Sequence, residues 1–261
     1  MSESQLVDLV CADNVAHITI NRPEFRNALS FPTLLCLREL LSEVANNKNV
    51  WAVTLTGAGD KAFCAGADLK ERRSMSEEQV VEFVKNIRAT MDDIANLPQP
   101  SIAILNGHAF GGGCEMALAC DLRIMATDAL IGLTETSLAI IPGAGGCVRL
   151  PRLIGAAKAK EVILLSKKMS AGDALSCGLV NQIADKSELA KSSNALLEQL
   201  MANGPLALRA AKAAIDFSGD LAMSDALQKE AECYARIIPT SDRLEALAAF
   251  AEKRNPEFKG E

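Results

Sequence analysis

Gly107-His108-Ala109-Phe110-Gly111-Gly112-Gly113-Cys114-Glu115-Met116-Ala117-Leu118-Ala119-Cys120 is the stretch on which the reading turns. It follows a buried strand predicted over 101–105 and runs through three glycines into a helix of small residues predicted over 114–120. A further strand is predicted over 122–125. Glycines that end a strand and open a helix leave free backbone N–H groups facing outward, toward whatever ligand sits there. Glu115 stands one step later, in a helix otherwise made of Met116, Ala117, Leu118, Ala119 and Cys120. Its neighbours three and four positions away are Gly111, Gly112, Leu118 and Ala119. A carboxylate in that company is desolvated, which raises its pKa toward neutrality and suits proton transfer. The alternative is an exposed glutamate on a short helix. The lack of any other charge before Asp121 favours the desolvated reading.

Outward from this stretch, strands and helices alternate. The first 20 residues read as a hairpin, with alternation from Leu6 to Val10, a turn at Asp13-Asn14, and a second strand from Val15 to Ile20. His17 is then simply a strand residue, and Asn21-Arg22-Pro23 breaks the pattern. Ser30 is placed to cap a helix carrying Leu34, Leu35, Leu37, Leu40, Leu41 and Val44 at helical spacing. Residues 50–56 form a compact apolar strand. Residues 77–97 form a long helix with Val80, Val81, Phe83, Val84, Ile87, Met91 and Ile94 on its apolar stripe, stopped by Pro98. From about residue 156 the pattern is nearly all helix. With no linker or repeat between the halves, the expectation is an α/β core over 1–200 that carries the site, followed by a helical part over 201–261.

Composition narrows the chemistry. The chain has 261 residues, 49% hydrophobic and 23% charged, which gives a globular protein with room for one large core. Asp and Glu number 33 against 27 Lys and Arg, for a net charge of −6, so a surface built for nucleic acid or anionic lipid is not expected. No apolar run reaches the roughly 18 residues a membrane span needs. The opening Met-Ser-Glu-Ser-Gln carries no export or organelle pattern, and the expected location is cytoplasmic. Eight cysteines include no C-x-x-C pair and sit mostly among apolar or glycine-rich neighbours, as reduced thiols do. The two histidines, His17 and His108, are too few for an ordinary zinc site or a His-based triad. No metal is expected, and carboxylates are the place to look for acid–base chemistry.

Two other loops compete with the triple-glycine turn. Gly57-Ala58-Gly59-Asp60-Lys61-Ala62 matches G-x-G-x-x-A, but the dinucleotide fingerprint needs a helix opening inside the motif, and here small residues continue. Phe63-Cys64-Ala65-Gly66-Ala67-Asp68-Leu69-Lys70 has side chains small enough for backbone N–H groups to approach a ligand, with Asp68 able to cap the helix that follows. An ordinary tight loop is the equal alternative. Further on, Glu135 lies in Thr134-Glu135-Thr136, just before a second glycine-rich run at residues 143–146. A lone loop glutamate is usually solvated. Two carboxylates beside a glycine cradle instead suit addition or removal of water at a polarised double bond, one handling the water and the other the carbon acid.

The segments NRPEFRNAL, FCAGADLKER, GGGCEMALACDLRI and ETSLAIIPGAGG, in this order, resemble the crotonase (enoyl-CoA hydratase/isomerase) superfamily from Asn21 to Glu261. The FCAGADLKER loop and the C-terminal CYARIIPTSDRLEALAAFAEKRNPEFKGE are most similar to the methylglutaconyl-CoA hydratase branch. The resemblance implies a spiral of ββα units with a helical C-terminal trimerisation region, assembled as a trimer or a dimer of trimers. It implies an oxyanion hole from the N–H groups of Ala67 and Gly112. Glu115 would activate water for attack at C3, and Glu135 would exchange the proton at C2. Coenzyme A, part of the substrate and the only cofactor group implied, would lie along Arg26 to Ala28 and Ala65 to Leu69, and so against Ala65, Gly66, Asp68 and Leu69. Phe250 and Lys253 would reach the nucleotide end of a neighbouring subunit's ligand.

The implied activity is hydration of a short or branched 2-enoyl-CoA, such as 3-methylglutaconyl-CoA, to a 3-hydroxyacyl-CoA, in fatty-acid oxidation or leucine breakdown. Enoyl-CoA isomerisation needs only one acid–base group and is the enzymatic alternative. A noncatalytic acyl-CoA- or RNA-binding scaffold is the other. The branch contains an RNA-binding member whose helix after the NAL motif is lysine-rich, whereas Phe31-Pro32-Thr33-Leu34-Leu35-Cys36-Leu37-Arg38-Glu39 carries one positive charge, so RNA binding is not expected here. Arg72 and Arg73 are either solvated helix-end charges or a partner for a distal substrate carboxylate.

Overall fold

A computed structural model describes residues 6–261; the targeting-signal reading of residues 1–5 lies outside them. The hairpin of β1 (Val7–Ala12) and β2 (Val15–Ile20) pairs antiparallel around Asp13 and Asn14, both in the left-handed region that Asp and Asn tolerate. After a 3₁₀ turn at Pro23–Phe25, Ser30 accepts the Thr33 N–H and starts helix α1 (Phe31–Asn46). Three further units follow the same strand–strand–helix order. They are β3 (Ala52–Gly57), β4 (Ala62–Cys64), the short α2 (Leu69–Arg72) and α3 (Glu77–Ala95); then β5 (Ser101–Leu105), β6 (His108–Phe110) and α4 (Gly112–Ala119); then β7 (Leu122–Ala126), β8 (Leu130–Gly132), α5 (Gly146–Ile154) and α6 (Ala156–Leu164).

β1 and β2 stay together in one sheet, whereas in each of the three later units the two strands go to different sheets. One sheet runs β1-β2-β3-β5-β7 and is parallel from β2 onward; the other runs β4-β6-β8. Each unit thus advances a two-layered spiral by one step, which is the crotonase fold that the motifs implied. The segment at 57–62 turns straight into β4, so it opens no helix and offers no dinucleotide site. The small-residue helix begins at Gly112, two residues before the predicted start, because the Glu115 N–H already bonds the Gly111 carbonyl at 2.9 Å.

Beyond residue 156 the nearly all-helical reading needs correcting. Two short strands intervene, β9 (Met169–Ser170), followed by α7 (Ala171–Ser176), and β10 (Gln182–Ala184). β9 closes the smaller sheet against β8, and β10 completes the six-stranded sheet on the edge of β7. Both are too short to show a period of two in sequence. Four helices follow: α8 (Leu189–Met201), α9 (Pro205–Ser218), α10 (Met223–Ile237) and α11 (Ser241–Glu252).

The apolar side of α1 (Leu34, Leu37, Leu41, Val44) is buried, as is the Phe83, Ile87, Met91, Ile94 row of α3. Each such side chain contributes at most about 1.5–3 kcal/mol. Val81 departs from the predicted stripe and is exposed, lying off that row. His17 is the strand residue expected, with Nδ1 2.8 Å from the Thr54 hydroxyl.

α4 is buried along its whole length, and its approach to β4 is so close that a Cβ at Gly113 would overlap the Cys64 carbonyl oxygen and lie 2.9 Å from Cys64 Cβ. Gly113→Ala must therefore move backbone against backbone, and should lower unfolding stability by about 1–3 kcal/mol. Urea denaturation checks this; an unchanged midpoint would show that α4 and β4 are not in contact.

Candidate active site

Glu115 sits in the first turn of α4 and is 2% exposed. Its Oε1 accepts two backbone N–H groups, from Ala144 at 2.7 Å and from Gly146 at 2.9 Å. Burial pushes its carboxyl pKa up, while these two donors, then Arg149 and Arg88, pull it back. The exposed-glutamate alternative is thereby excluded. The loop that supplies the donors is itself fixed: Arg149 donates to the Ala144 carbonyl and pairs with Asp92 on α3 at 2.7 Å. Arg88, also on α3, donates to the Gly143 carbonyl.

Glu135 comes from a different unit, on a 3₁₀ turn at Glu135–Leu138. That turn is anchored by Thr136, whose hydroxyl donates to the Ile163 carbonyl at 2.6 Å. The Glu135 carboxyl leans over Gly111, where a Cβ would stand 3.2 Å from Oε1; Gly111 also holds φ at 52°, so the position suits glycine twice over. Glu135 Oε2 is buried without a hydrogen-bond partner among the described residues. Burial first, and repulsion from Glu115 second, push the Glu135 pKa up to about 7. Two backbone donors sit on Glu115 Oε1, whereas Glu135 Oε2 has no partner among the described residues, and a pKa of about 7 lets Glu135 carry a proton near neutrality.

Ala67, at the end of the β4 loop, and Gly112, the first residue of α4, face each other: a Cβ at Gly112 would lie 3.6 Å from the Ala67 nitrogen. Neither N–H bonds to the described residues. Together with the two glutamates they line one cavity of about 600 Å³, whose remaining wall is largely apolar: Leu69, Val80, Phe83, Val84, Ile87, Leu138 and Ile141. Such a chamber fits an acyl chain, with two donors and two acids gathered at one place.

The other predicted residues separate. Ala65, Gly66 and Leu69 line the cavity. Asp68 does not, because its carboxylate caps α2 through the Lys70 and Glu71 N–H groups and pairs with Arg22 at 3.1 Å. Ala28 is buried and gives its carbonyl to Arg22. Arg26 is exposed beside a separate depression with Asp60, Lys61 and His108. Phe250 is 86% exposed, and Lys253 caps α11 in the left-handed conformation; neither lines the cavity of its own chain. Of the two arginines, Arg72 lines the cavity and Arg73 does not.

The profile of the enoyl-CoA hydratase/isomerase family matches residues 11–261. The chain belongs to that family. It is 42% identical over 264 residues to human enoyl-CoA hydratase domain-containing protein 2, mitochondrial, covering 99% of this chain and 90% of that protein. It is 43% identical over 246 residues to human methylglutaconyl-CoA hydratase, mitochondrial, covering 93% and 73%. Among solved structures, an enoyl-CoA hydratase from Bacillus anthracis superposes with a TM-score of 0.96 at 48% identity, over 98% of this chain and 100% of that one.

Three residues important to this family member's site were missed in the sequence. Arg149 and Asp92 are far apart in the chain, and nothing local marks them as the clamp on the 143–146 loop. Asn27 is fully buried at positive φ, with its amide donating to the Ala58 and Ala62 carbonyls and its oxygen accepting the Arg22 N–H. A polar residue inside NRPEFRNAL was the one available signal.

The raised Glu135 pKa carries a stability consequence. The folded chain holds the Glu135 proton to about pH 7, whereas an unfolded chain releases it near 4.5. Between those values the folded state binds more protons, so stability falls as pH rises through that window. Glu135→Gln carries no such charge, and its gain in Tm over the wild type should be larger at pH 8 than at pH 4.5. An equal difference at both would mean that Glu135 ionises normally.

Proposed function

We propose that the protein is an enoyl-CoA hydratase that adds water across the 2,3 double bond of a short or branched 2-enoyl-CoA to give a 3-hydroxyacyl-CoA. The observation that carries this reading is the pair of carboxyl groups in one cavity, Glu115 held by the Ala144 and Gly146 N–H groups and Glu135 with an unpartnered Oε2, beside the Ala67 and Gly112 N–H groups. The thioester oxygen accepts from Ala67 and Gly112, which stabilise the negative charge that grows as the enolate develops. Ionised Glu115 takes a proton from water as the water oxygen bonds to C3. Protonated Glu135 delivers its proton to C2. Water thus contributes hydroxide to C3, while a proton reaches Glu115 and one leaves Glu135; exchange with solvent restores both.

This chemistry calls on acids, a base and amide donors, with coenzyme A present only as the substrate's carrier. Coenzyme A follows the Ala65 to Leu69 loop. The similarity to methylglutaconyl-CoA hydratase makes 3-methylglutaconyl-CoA one candidate substrate beside crotonyl-CoA. Assembly as a trimer or dimer of trimers belongs to the same proposal. It is supported by the apolar side chains left exposed on α9 to α11, among them Ile215, Phe217, Leu227, Leu247 and Phe250. In such an assembly Phe250 and Lys253 reach the neighbouring subunit's ligand.

Isomerisation is the second reading, because relatives carry both activities in their names. The intact pair of glutamates favours hydration. Following the loss of enoyl-thioester absorbance, Glu115→Gln and Glu135→Gln should each cut kcat by about 10²- to 10⁴-fold while keeping the fold. In Glu115→Gln the new amide oxygen still accepts the Ala144 and Gly146 N–H groups, so the loop keeps its anchor. Migration of the double bond in a 3-enoyl-CoA, without hydration of the 2-enoyl thioester, would replace the hydratase reading with the isomerase one.

A further inference from the structure

We propose that Arg72 reads a terminal carboxylate on the acyl group, so that the preferred substrates are 2-enoyl thioesters of dicarboxylic acids. The inference rests on the acyl-thioester reading above and narrows its substrate class. Asp68 caps α2 and so fixes where its side chains point; Leu69 and Arg72, three residues apart on one face, both border the cavity. The Arg72 guanidinium carbon lies 5.7 Å from the centre of the buried Phe83 ring, which holds the cation over the apolar wall.

What the guanidinium lacks is an anion. The arginines that pair with carboxylates among the described residues are Arg22, Arg38, Arg149, Arg152 and Arg254; Arg72 is not one of them. Arg88 also borders the cavity, but it is exposed and its Nε–H is given to the Gly143 carbonyl, so its role is to hold the loop. A half-buried guanidinium on a wall with Val80, Phe83 and Leu69 loses hydration with no carboxylate of the described residues in return. A ligand carboxylate restores the balance, and the planar fork of arginine matches its two oxygens. A plain alkyl tail would leave that charge uncompensated. A purely apolar substrate would be better served by an apolar residue at this position.

The test separates binding from turnover. Glutaryl-CoA and butyryl-CoA are saturated and cannot be hydrated, so calorimetric titration with each reports recognition alone. The wild type should bind glutaryl-CoA more tightly than butyryl-CoA. In Arg72→Gln that preference should fall by about 10- to 100-fold, with Arg72→Lys retaining part of it. The ratio of kcat/KM for glutaconyl-CoA over crotonyl-CoA should fall in parallel. Equal affinities in the wild type, or weakening of both thioesters by the same factor in Arg72→Gln, would overturn the assignment. If neither thioester binds, the acyl-CoA reading fails and takes this inference with it. If the glutaryl preference is present and lost in Arg72→Gln while glutaconyl-CoA is not hydrated, Arg72 keeps its role and the hydratase reading fails alone.

Discussion

The two backbone N–H groups that converge on Glu115 Oε1, from Ala144 and Gly146, are the interaction on which the rest of the site depends. An ionised carboxylate as buried as Glu115 would neutralise itself without compensation. The two donors keep the charged form accessible, and that charge adds to burial, the larger cause, in raising the Glu135 pKa. The same bonds tie α4 to the 143–146 loop, which Arg149 and Asp92 tie to α3. The chemistry and the shape of the cavity therefore share one set of contacts. Loosening the loop would alter the charge on Glu115, the proton on Glu135 and the apolar wall together.

The spiral explains how residues so far apart in the chain meet. The second strands of the three later units lie side by side in one sheet, and the residues after β4, β6 and β8 contribute Ala67, Gly112 with Glu115, and Glu135 in turn. Close backbone approach is what makes this work. Gly113 lets α4 lie against the Cys64 carbonyl, which brings the start of α4 beside the β4 loop, with Gly112 next to Ala67. Asn27 then holds the start of β4 through the Ala62 carbonyl, and the Arg22–Asp68 pair holds the end of the loop that follows it.

Much of this was legible in the sequence wherever a local rule applied. The hairpin, the Ser30 cap, the α3 stripe and the strand–glycine–helix turn each depend on residues within a few positions of one another. The desolvation of Glu115 followed from its helical neighbours alone. What escaped depends on distance. β9 and β10 are two and three residues long and exist because a neighbouring strand offers an edge. Arg149 and Asp92 are 57 positions apart, and only the fold brings them together. Asp68 sits in the FCAGADLKER motif beside cavity-lining Leu69, yet its side chain is committed to capping and to Arg22, a distinction that a motif cannot draw.

The division of labour between the two glutamates is the central claim, and a carbon-13 NMR titration of the glutamate side-chain carboxyls, in wild type and in Glu115→Gln, addresses it most directly. The account predicts that Glu135 titrates near pH 7 in the wild type and at lower pH in Glu115→Gln, where a neutral amide no longer repels its charge. A Glu135 that titrates in the ordinary carboxylate range near 4.5 in both proteins would contradict it.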